Sequence, residues 1–163
     1  MKEEYEYSFK VKSIKDFINY CEVNKYKKID DYKQVRTLYK NGGKVMARIT
    51  KNIYSDKSVE ILNFKDDNLT SNVLSVSRES EDLLINNKNR KFVKSLLNIL
   101  DLNDFKILKR HRICYKKRNI KFEIDEYTSP KMKVIAIEGL KEEVDNVYKD
   151  LENIINKNIV ETD

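Results

Sequence analysis

The sequence has 163 residues, of which 40% are hydrophobic and 37% are charged, and its formal net charge is +6. This length predicts one domain over residues 1–163, and the hydrophobic fraction excludes a disordered chain. The charged start of the chain, and the lack of any run of about 18 apolar residues, favour a cytoplasmic protein with no membrane partner. The positive charge favours an anionic ligand.

The first half of the chain shows the patterns of a strand, a helix and four further strands. Residues 4–11 alternate between apolar and polar side chains, which is typical of a strand. Apolar residues with helical spacing after Ser13 predict a helix that ends near residues 23–26. The further strands are predicted within 32–50, as a hairpin around Asn41-Gly42-Gly43, and over 58–66 and 72–83.

The second half begins with helical spacing of apolar residues, which predicts a helix over 92–100. Three strands follow at about 105–115, 120–127 and 131–138, and an apolar stripe over 144–155 predicts a final helix. The order β-α-ββββ-α-βββ-α has short connections. It predicts an α+β fold in which a mostly antiparallel sheet is covered by helices.

Like charges gather on single faces of the predicted strands. Glu4 and Glu6 lie two residues apart, and the same spacing recurs in Glu79/Glu81, Glu123/Asp125 and Arg110/Arg112. Carboxylates two apart on a strand are separated by about 6–7 Å, which is close enough to share a divalent ion. Two arrangements fit this pattern: the charged faces point to solvent around an apolar core, or they line a wet channel inside a barrel.

The N-terminal segments resemble motifs of the CYTH domain, or triphosphate tunnel metalloenzymes, which include thiamine triphosphatases, inorganic triphosphatases and class IV adenylate cyclases. Glu4-Tyr5-Glu6-Tyr7-Ser8 is similar to the E-x-E-x-K strand of that family. Arg48-Ile49-Thr50 is similar to its R-x-R strand and Asn63-Phe64-Lys65 to its T-x-K strand. Arg78-Glu79-Ser80-Glu81 resembles its R-x-E-x-E region, with one residue fewer between Arg and Glu.

The C-terminal strands carry the fuller part of this resemblance. Arg110-His111-Arg112-Ile113-Cys114-Tyr115 is similar to K-x-R-x-x-Y, and Glu123-Ile124-Asp125-Glu126 to the strand that bears the aspartate of the family. Ala136-Ile137-Glu138-Gly139 resembles E-I-E-G with the first glutamate lost. The order of elements agrees with that family along nearly the whole chain.

The resemblance implies a closed, eight-stranded, mostly antiparallel β-barrel with a charged interior and about three outer helices. It implies metal-dependent hydrolysis of inorganic triphosphate, thiamine triphosphate or a nucleotide, with Mg²⁺ or Mn²⁺ as cofactor. The implied catalytic residues are Glu4, Glu6 and Glu138. The implied metal ligands are Glu4, Glu6, Glu138, Glu79, Glu81 and Asp125, and the implied phosphate ligands are Arg48, Lys65, Arg110 and Arg112.

Three positions depart from the family pattern: Ser8 replaces a phosphate-binding lysine, Thr50 an arginine and Ala136 a glutamate of the metal side. Lys10 lies on the same strand face as Ser8, about 7 Å further along, so we expect it to supply phosphate-binding charge from the tunnel mouth. The departures leave open a non-catalytic binder of triphosphate or polyphosphate with a degenerate metal site.

A second alternative is an RNA-binding domain that uses the predicted hairpin over residues 106–121. Half of these residues are Lys or Arg and none is acidic, which is typical of a surface that contacts a phosphate backbone. The sequence does not decide between a monomer and a homodimer.

Several conspicuous side chains receive structural interpretations. His111 alternates out of phase with its neighbouring arginines, so it is predicted to point away from the tunnel. Cys21 and Cys114 lack any C-x-x-C partner and are expected to be buried thiols. The tyrosines expected on apolar faces are Tyr5, Tyr7, Tyr127 and Tyr148.

Overall fold

A computed structural model describes residues 2–42, 44–69 and 73–160, and within them the chain forms nine strands and four helices. The strands are β1 (Lys2–Lys10), β2 (Lys27–Asn41), β3 (Lys44–Ile53), β4 (Ser58–Leu69), β5 (Leu74–Glu79), β6 (Leu83–Leu84), β7 (Asp104–Lys117), β8 (Ile120–Ser129) and β9 (Lys131–Gly139). The helices are α1 (Lys15–Val23), α2 (Arg90–Ile99), α3 (Lys141–Asp150) and α4 (Glu152–Asn158).

Eight of the strands form a closed antiparallel barrel. Their order is β3-β2-β7-β8-β9-β1-β5-β4, and the pairing of β3 with β4 closes the ring. The short β6 pairs with β4 outside this ring. The predicted α+β fold and its eight-stranded barrel are therefore confirmed.

The barrel is polar inside and apolar outside, which is the reverse of an ordinary small β-barrel. In β8, Glu123 and Asp125 line the lumen, whereas Phe122 and Ile124 belong to a hydrophobic cluster on the outer face. Of the two arrangements that the charge pattern allowed, the structure adopts the one with a charged interior.

Two hydrophobic clusters hold the helices against the outside of the barrel. In the larger one, the helices α1, α3 and α4 contribute Phe17, Val144 and Ile155, which lie among residues of β1, β8 and β9. In the smaller one, Val93 and Leu97 of α2 pack with Ala47 and Leu62 of β3 and β4. Because the apolar cores lie outside the ring, they leave the lumen free for polar side chains.

The structure corrects two predicted elements. The strand predicted over 72–83 is shorter: β5 ends at Glu79, and the chain pairs again only at β6. The final helix is two helices, α3 and α4, separated at the fully buried Leu151. Gly43 of the predicted turn and Asn72 of that strand lie outside the described residues. In the described part of the chain, no helix is long and apolar enough to cross a membrane.

Candidate functional site

The lumen contains a cavity of about 320 Å³ to which all eight strands of the barrel contribute side chains. Strand alternation places these side chains, because every second residue of each strand points inward. The acidic residues that line it are Glu4, Glu6, Glu79, Asp82, Glu123, Asp125 and Glu138. The basic residues that line it are Arg36, Arg48, Lys65, Arg110, Arg112 and Lys121.

The structure brings all the site residues predicted from the sequence to this cavity except Lys10 and Glu81. Lys10 is the last residue of β1, and its side chain is exposed to solvent. Glu81 follows the end of β5, so the alternation that would place it beside Glu79 does not extend to it, and it is also exposed. Neither residue lines the cavity.

Three carboxylates gather at one place in the lumen. One carboxylate oxygen from each of Glu6, Glu123 and Glu138 lies within 4.8 Å of the others. Glu6 and Glu138 are cross-strand neighbours on β1 and β9, and Glu123 on β8 is the neighbour of Ala136 on β9. We call these three residues the acidic cluster. Since Mg²⁺ and Mn²⁺ prefer carboxylate oxygens, its donor set fits the expected cofactor.

The acidic cluster is electrostatically unfavourable when no cation lies in it. Burial, together with the charges of Glu123 and Glu4, raises the pKa of Glu138 to about 9. Burial also raises the pKa of Glu6 to about 7, although Lys65 opposes this shift. Glu6 forms no ion pair with any described residue. A bound divalent cation would favour the ionised form of both groups.

Arg112 pairs with the carboxylates next to this cluster. Its Nε and Nη2 atoms each lie 2.8 Å from a carboxylate oxygen of Asp125, and its Nη1 atom lies 2.5 Å from Glu123 Oε2. Burial alone would raise the pKa of Glu123, but Arg112 and Lys121 hold it well below its usual value. Glu123 therefore stays ionised, whereas Asp125, a predicted metal ligand, is engaged by arginine.

Arg48 and Lys65 also have carboxylate partners. Arg48 Nη2 lies 2.8 Å from Glu79 Oε1. Glu79, like Asp125, is therefore a predicted metal ligand that is paired with a guanidinium. Lys65 Nζ lies 3.7 Å from Glu4 Oε2. Because of these pairs, most of the buried charges in the cavity have a partner of opposite charge, which offsets the cost of their burial.

Arg36 and Arg110 differ from the other lumen cations. Arg36 donates a hydrogen bond of 2.9 Å from Nε to Thr50 Oγ1, and it forms no ion pair within the described residues. Burial and the nearby guanidiniums of Arg110 and Arg48 lower the pKa of Arg36 to about 9. Arg110 binds Gln34 and Tyr127, but its buried Nη2 atom has no hydrogen-bond partner in the described part of the chain.

Three charged residues that line the cavity are not among those predicted from the sequence: Arg36, Lys121 and Glu123. Lys121 Nζ lies 3.6 Å from Glu123 and 3.8 Å from Glu138, so it borders the acidic cluster. Glu123 was visible as part of a charged face. Arg36 belongs to the alternate residues of β2 that face the lumen. Which residues of β2 these are becomes clear only when its pairing with β3 and β7 is known.

The structure corrects the interpretation of one tyrosine. Tyr127 was predicted on an apolar face, but it is in phase with Glu123 and Asp125 and lines the cavity. There its hydroxyl accepts a hydrogen bond from Arg110 Nη1.

The histidine and the cysteines lie where the sequence predicts them. His111 does not line the lumen, and its Nε2 atom lies 2.5 Å from Asp31 Oδ1. Cys21 and Cys114 are buried and free.

No protein-family model matches the sequence, and no curated protein matches it. Solved structures do resemble it. A conserved hypothetical protein from Pyrococcus furiosus has a TM-score of 0.66 at 18% identity, with 91% of this chain and 90% of that chain covered. HpAC1 from Hippeastrum, for which a dominant triphosphatase activity is described, has a TM-score of 0.63 at 15% identity, with 98% and 91% covered.

A chain of the Mediator head module from Schizosaccharomyces pombe also resembles the barrel, with a TM-score of 0.66 at 7% identity and 96% of both chains covered. At such identities the likeness establishes the fold and leaves the activity to be argued from the site. The resemblance to the CYTH domain that the sequence indicates is thereby confirmed for the fold.

Proposed function

We propose that this CYTH-like barrel binds a divalent cation together with a small triphosphate compound and hydrolyses the terminal phosphoanhydride bond. One observation carries the proposal: a single cavity holds three carboxylates whose oxygens lie within 4.8 Å of one another and an arginine, Arg36, that has no carboxylate partner among the described residues. Each of these groups is unfavourable in an empty lumen. A polyphosphate bound with its divalent cation brings both of the missing charges at once.

The residue types suit this chemistry. Planar guanidinium groups, such as those of Arg48 and Arg110, match the spacing of phosphate oxygens and can orient a polyphosphate along the lumen. Glu6, Glu123 and Glu138 would hold Mg²⁺ or Mn²⁺, which would supply positive charge to offset the charge that develops on the phosphate oxygens.

In the reaction, the oxygen of a water molecule bonds to the terminal phosphorus. At the same time, the bond between this phosphorus and the bridging oxygen breaks. The products are phosphate and the shortened polyphosphate, and the proton of the water passes to solvent.

Phosphate release from inorganic triphosphate, thiamine triphosphate and ATP, measured with Mg²⁺ and with Mn²⁺, tests this proposal. We expect turnover that requires the divalent cation. We predict that Glu6→Gln and Glu138→Gln each lower turnover by roughly 100-fold or more, since each removes a cation ligand. The exposed Glu81→Gln is the matched control and should behave as the wild type.

Two results would contradict the proposal, the first by excluding the acidic cluster as the site of the required cation and the second by excluding hydrolysis itself. One is wild-type turnover in both lumen variants. The other is no phosphate release from the wild-type protein under any of these conditions.

A second candidate function is triphosphate binding without hydrolysis. It is favoured by the ion pairs that engage Glu79 and Asp125 with arginines, because these leave fewer carboxylates for cations than the family pattern implies. Calorimetry that finds tight triphosphate binding by a protein that releases no phosphate would select this candidate.

The structure gives less support to the RNA-binding alternative. Three basic residues of the 106–121 segment, Arg110, Arg112 and Lys121, line the lumen and are not presented on the surface. Lys117 contacts the carbonyl of Asn24 and the ring of Tyr26. The outer face of this hairpin is therefore less basic than its sequence suggests.

A further inference from the structure

We propose that Arg36 and Arg110 together form a phosphoryl-binding subsite, in which Arg36 supplies from β2 the positive charge that is missing at Thr50 on β3. The inference rests on the proposed function for the identity of the ligand, a polyphosphate. It goes beyond that function because it assigns a binding role to Arg36, which lies outside every motif identified in the sequence.

The pairing of β2 with β3 places Arg36 directly across from Thr50. The two side chains also touch, because Arg36 Nε donates its hydrogen bond to Thr50 Oγ1. An arginine at position 50 and an arginine at position 36 would therefore enter the lumen from adjacent points of the wall. The hydrogen bond to Thr50 orients the guanidinium of Arg36.

The guanidinium groups of this subsite have hydrogen-bonding capacity that the protein does not use. Arg110 is only 7% exposed, and its neighbours Gln34, Tyr127 and Asp125 engage its Nε and Nη1 atoms. The buried Nη2 atom lacks a partner among the described residues. Leaving a buried, charged donor unsatisfied is costly, so the arrangement favours a ligand that brings an acceptor.

The ligand chemistry follows from these donors. Arg36 lies close enough to Arg110 for the two charges to destabilise each other, and no described carboxylate pairs with Arg36. A tetrahedral oxyanion has several acceptor oxygens and more than one negative charge, so it can bridge both guanidiniums. A phosphoryl group of the polyphosphate meets this requirement, whereas a neutral ligand would leave the repulsion in place.

Binding of inorganic triphosphate to metal-free protein in the presence of EDTA tests the subsite directly. In Arg36→Gln, the amide can still bond Thr50 but the charge is gone, and we expect affinity to fall roughly 10- to 100-fold. Arg90→Gln is the matched control: Arg90 lies on α2 outside the barrel and pairs with Glu60, so its loss should leave triphosphate affinity unchanged. Equal affinity in Arg36→Gln and the wild type would overturn the subsite.

Thermal unfolding without ligand separates a binding role from a structural one. If Arg36 is held at an energetic cost for binding, Arg36→Gln should unfold at the same temperature as the wild type or at a higher one. A lower unfolding temperature would mean that Arg36 serves the fold, and it would count against the proposal.

Exchanging Arg36 and Thr50 tests whether a guanidinium at position 50 can replace the one at position 36 in binding triphosphate. The double variant Arg36→Thr/Thr50→Arg moves the guanidinium back to β3, and we expect it to recover most of the affinity lost in Arg36→Thr. Failure to recover, in a double variant that unfolds at the wild-type temperature, would contradict the idea that the two positions are equivalent.

These measurements are independent of turnover. A protein that binds triphosphate through Arg36 but releases no phosphate would contradict hydrolysis and support the subsite. Turnover that is unchanged by Arg36→Gln would contradict the subsite but would leave the proposed hydrolysis intact.

Discussion

Arg112 shows how the lumen keeps a buried residue charged. It is 6% exposed, yet two carboxylates accept hydrogen bonds from three of its nitrogens. A buried ion pair repays its desolvation only when such geometry satisfies its atoms. As a result Glu123 keeps its negative charge, so one carboxylate of the acidic cluster is ionised even when Glu6 and Glu138 are protonated.

Cation binding by the acidic cluster should release protons. The pKa of Glu6 is raised to about 7 and that of Glu138 to about 9, so at pH 7 the empty site holds protons that a divalent cation must displace. We predict that affinity for Mn²⁺ rises between pH 6 and pH 9. Calorimetric titrations at pH 7 in two buffers with different ionisation enthalpies will measure the number of protons released.

The control for this measurement is Glu81→Gln, which should release as many protons as the wild type. Glu138→Gln should release fewer, because it removes the group with the higher pKa. Mn²⁺ binding with no proton release at pH 7 would contradict the assignment of the cation to this cluster.

At the scale of the strands and helices, the sequence predicts most of the barrel because alternation and turn residues are local signals. What it cannot predict depends on the neighbour that a strand meets. Arg36 and Glu123 matter through their cross-strand partners Thr50 and Ala136, and a single sequence does not contain that register. Register shifts in β2–β7 and β7–β8 make the register still less predictable.

The choice of inner face was predictable only through the family resemblance. Alternation separates the charged side of a strand from its apolar side, but both a solvent-facing sheet and an inside-out barrel satisfy it. Tyr127 illustrates the limit: its apolar ring suggested the outer face, whereas its phase with Asp125 correctly indicates the lumen. The phase of a residue in its strand was therefore a better guide than its hydrophobicity.

Gly139 ends β9 at a point where the chain has no room for a side chain. Its φ is +154°, and a Cβ atom there would lie 2.5 Å from the backbone oxygen of Asn119 in the turn between β7 and β8. We predict that Gly139→Ala lowers the free energy of unfolding by about 2–4 kcal/mol, because backbone must move against backbone. Urea unfolding measures this change.

Gly42→Ala is the comparison for this variant. Gly42 has a φ of +68°, but no atom lies within 4 Å of its Cβ position, so only the conformational cost of about 1–2 kcal/mol applies. Equal losses of stability in the two variants would show that the contact with Asn119 does not restrict Gly139. Because Glu138 precedes Gly139, the first variant should also weaken Mn²⁺ binding.

At the scale of the whole molecule, stability and binding are located in different places. The apolar clusters lie between the helices and the outer wall, and the charged groups lie inside the ring. A lumen of this kind is stabilised by its ligand more than a neutral one would be, since the empty cavity contains like charges that repel each other. Ligand binding should therefore be visible as a change in the stability of the entire barrel.

We predict that a divalent cation and triphosphate stabilise the barrel cooperatively. Mg²⁺ reduces the repulsion among the carboxylates of the acidic cluster, and triphosphate reduces the repulsion between Arg36 and its neighbouring guanidiniums. Because the two bound ligands also attract each other, their binding free energies are coupled. Thermal unfolding with Mg²⁺ alone, triphosphate alone and both should show an increase for the pair that exceeds the sum of the separate increases. In Glu138→Gln this excess should disappear while the effect of triphosphate alone remains. An excess that persists in Glu138→Gln would mean that Mg²⁺ acts on triphosphate in solution, and it would contradict a cation site inside the barrel.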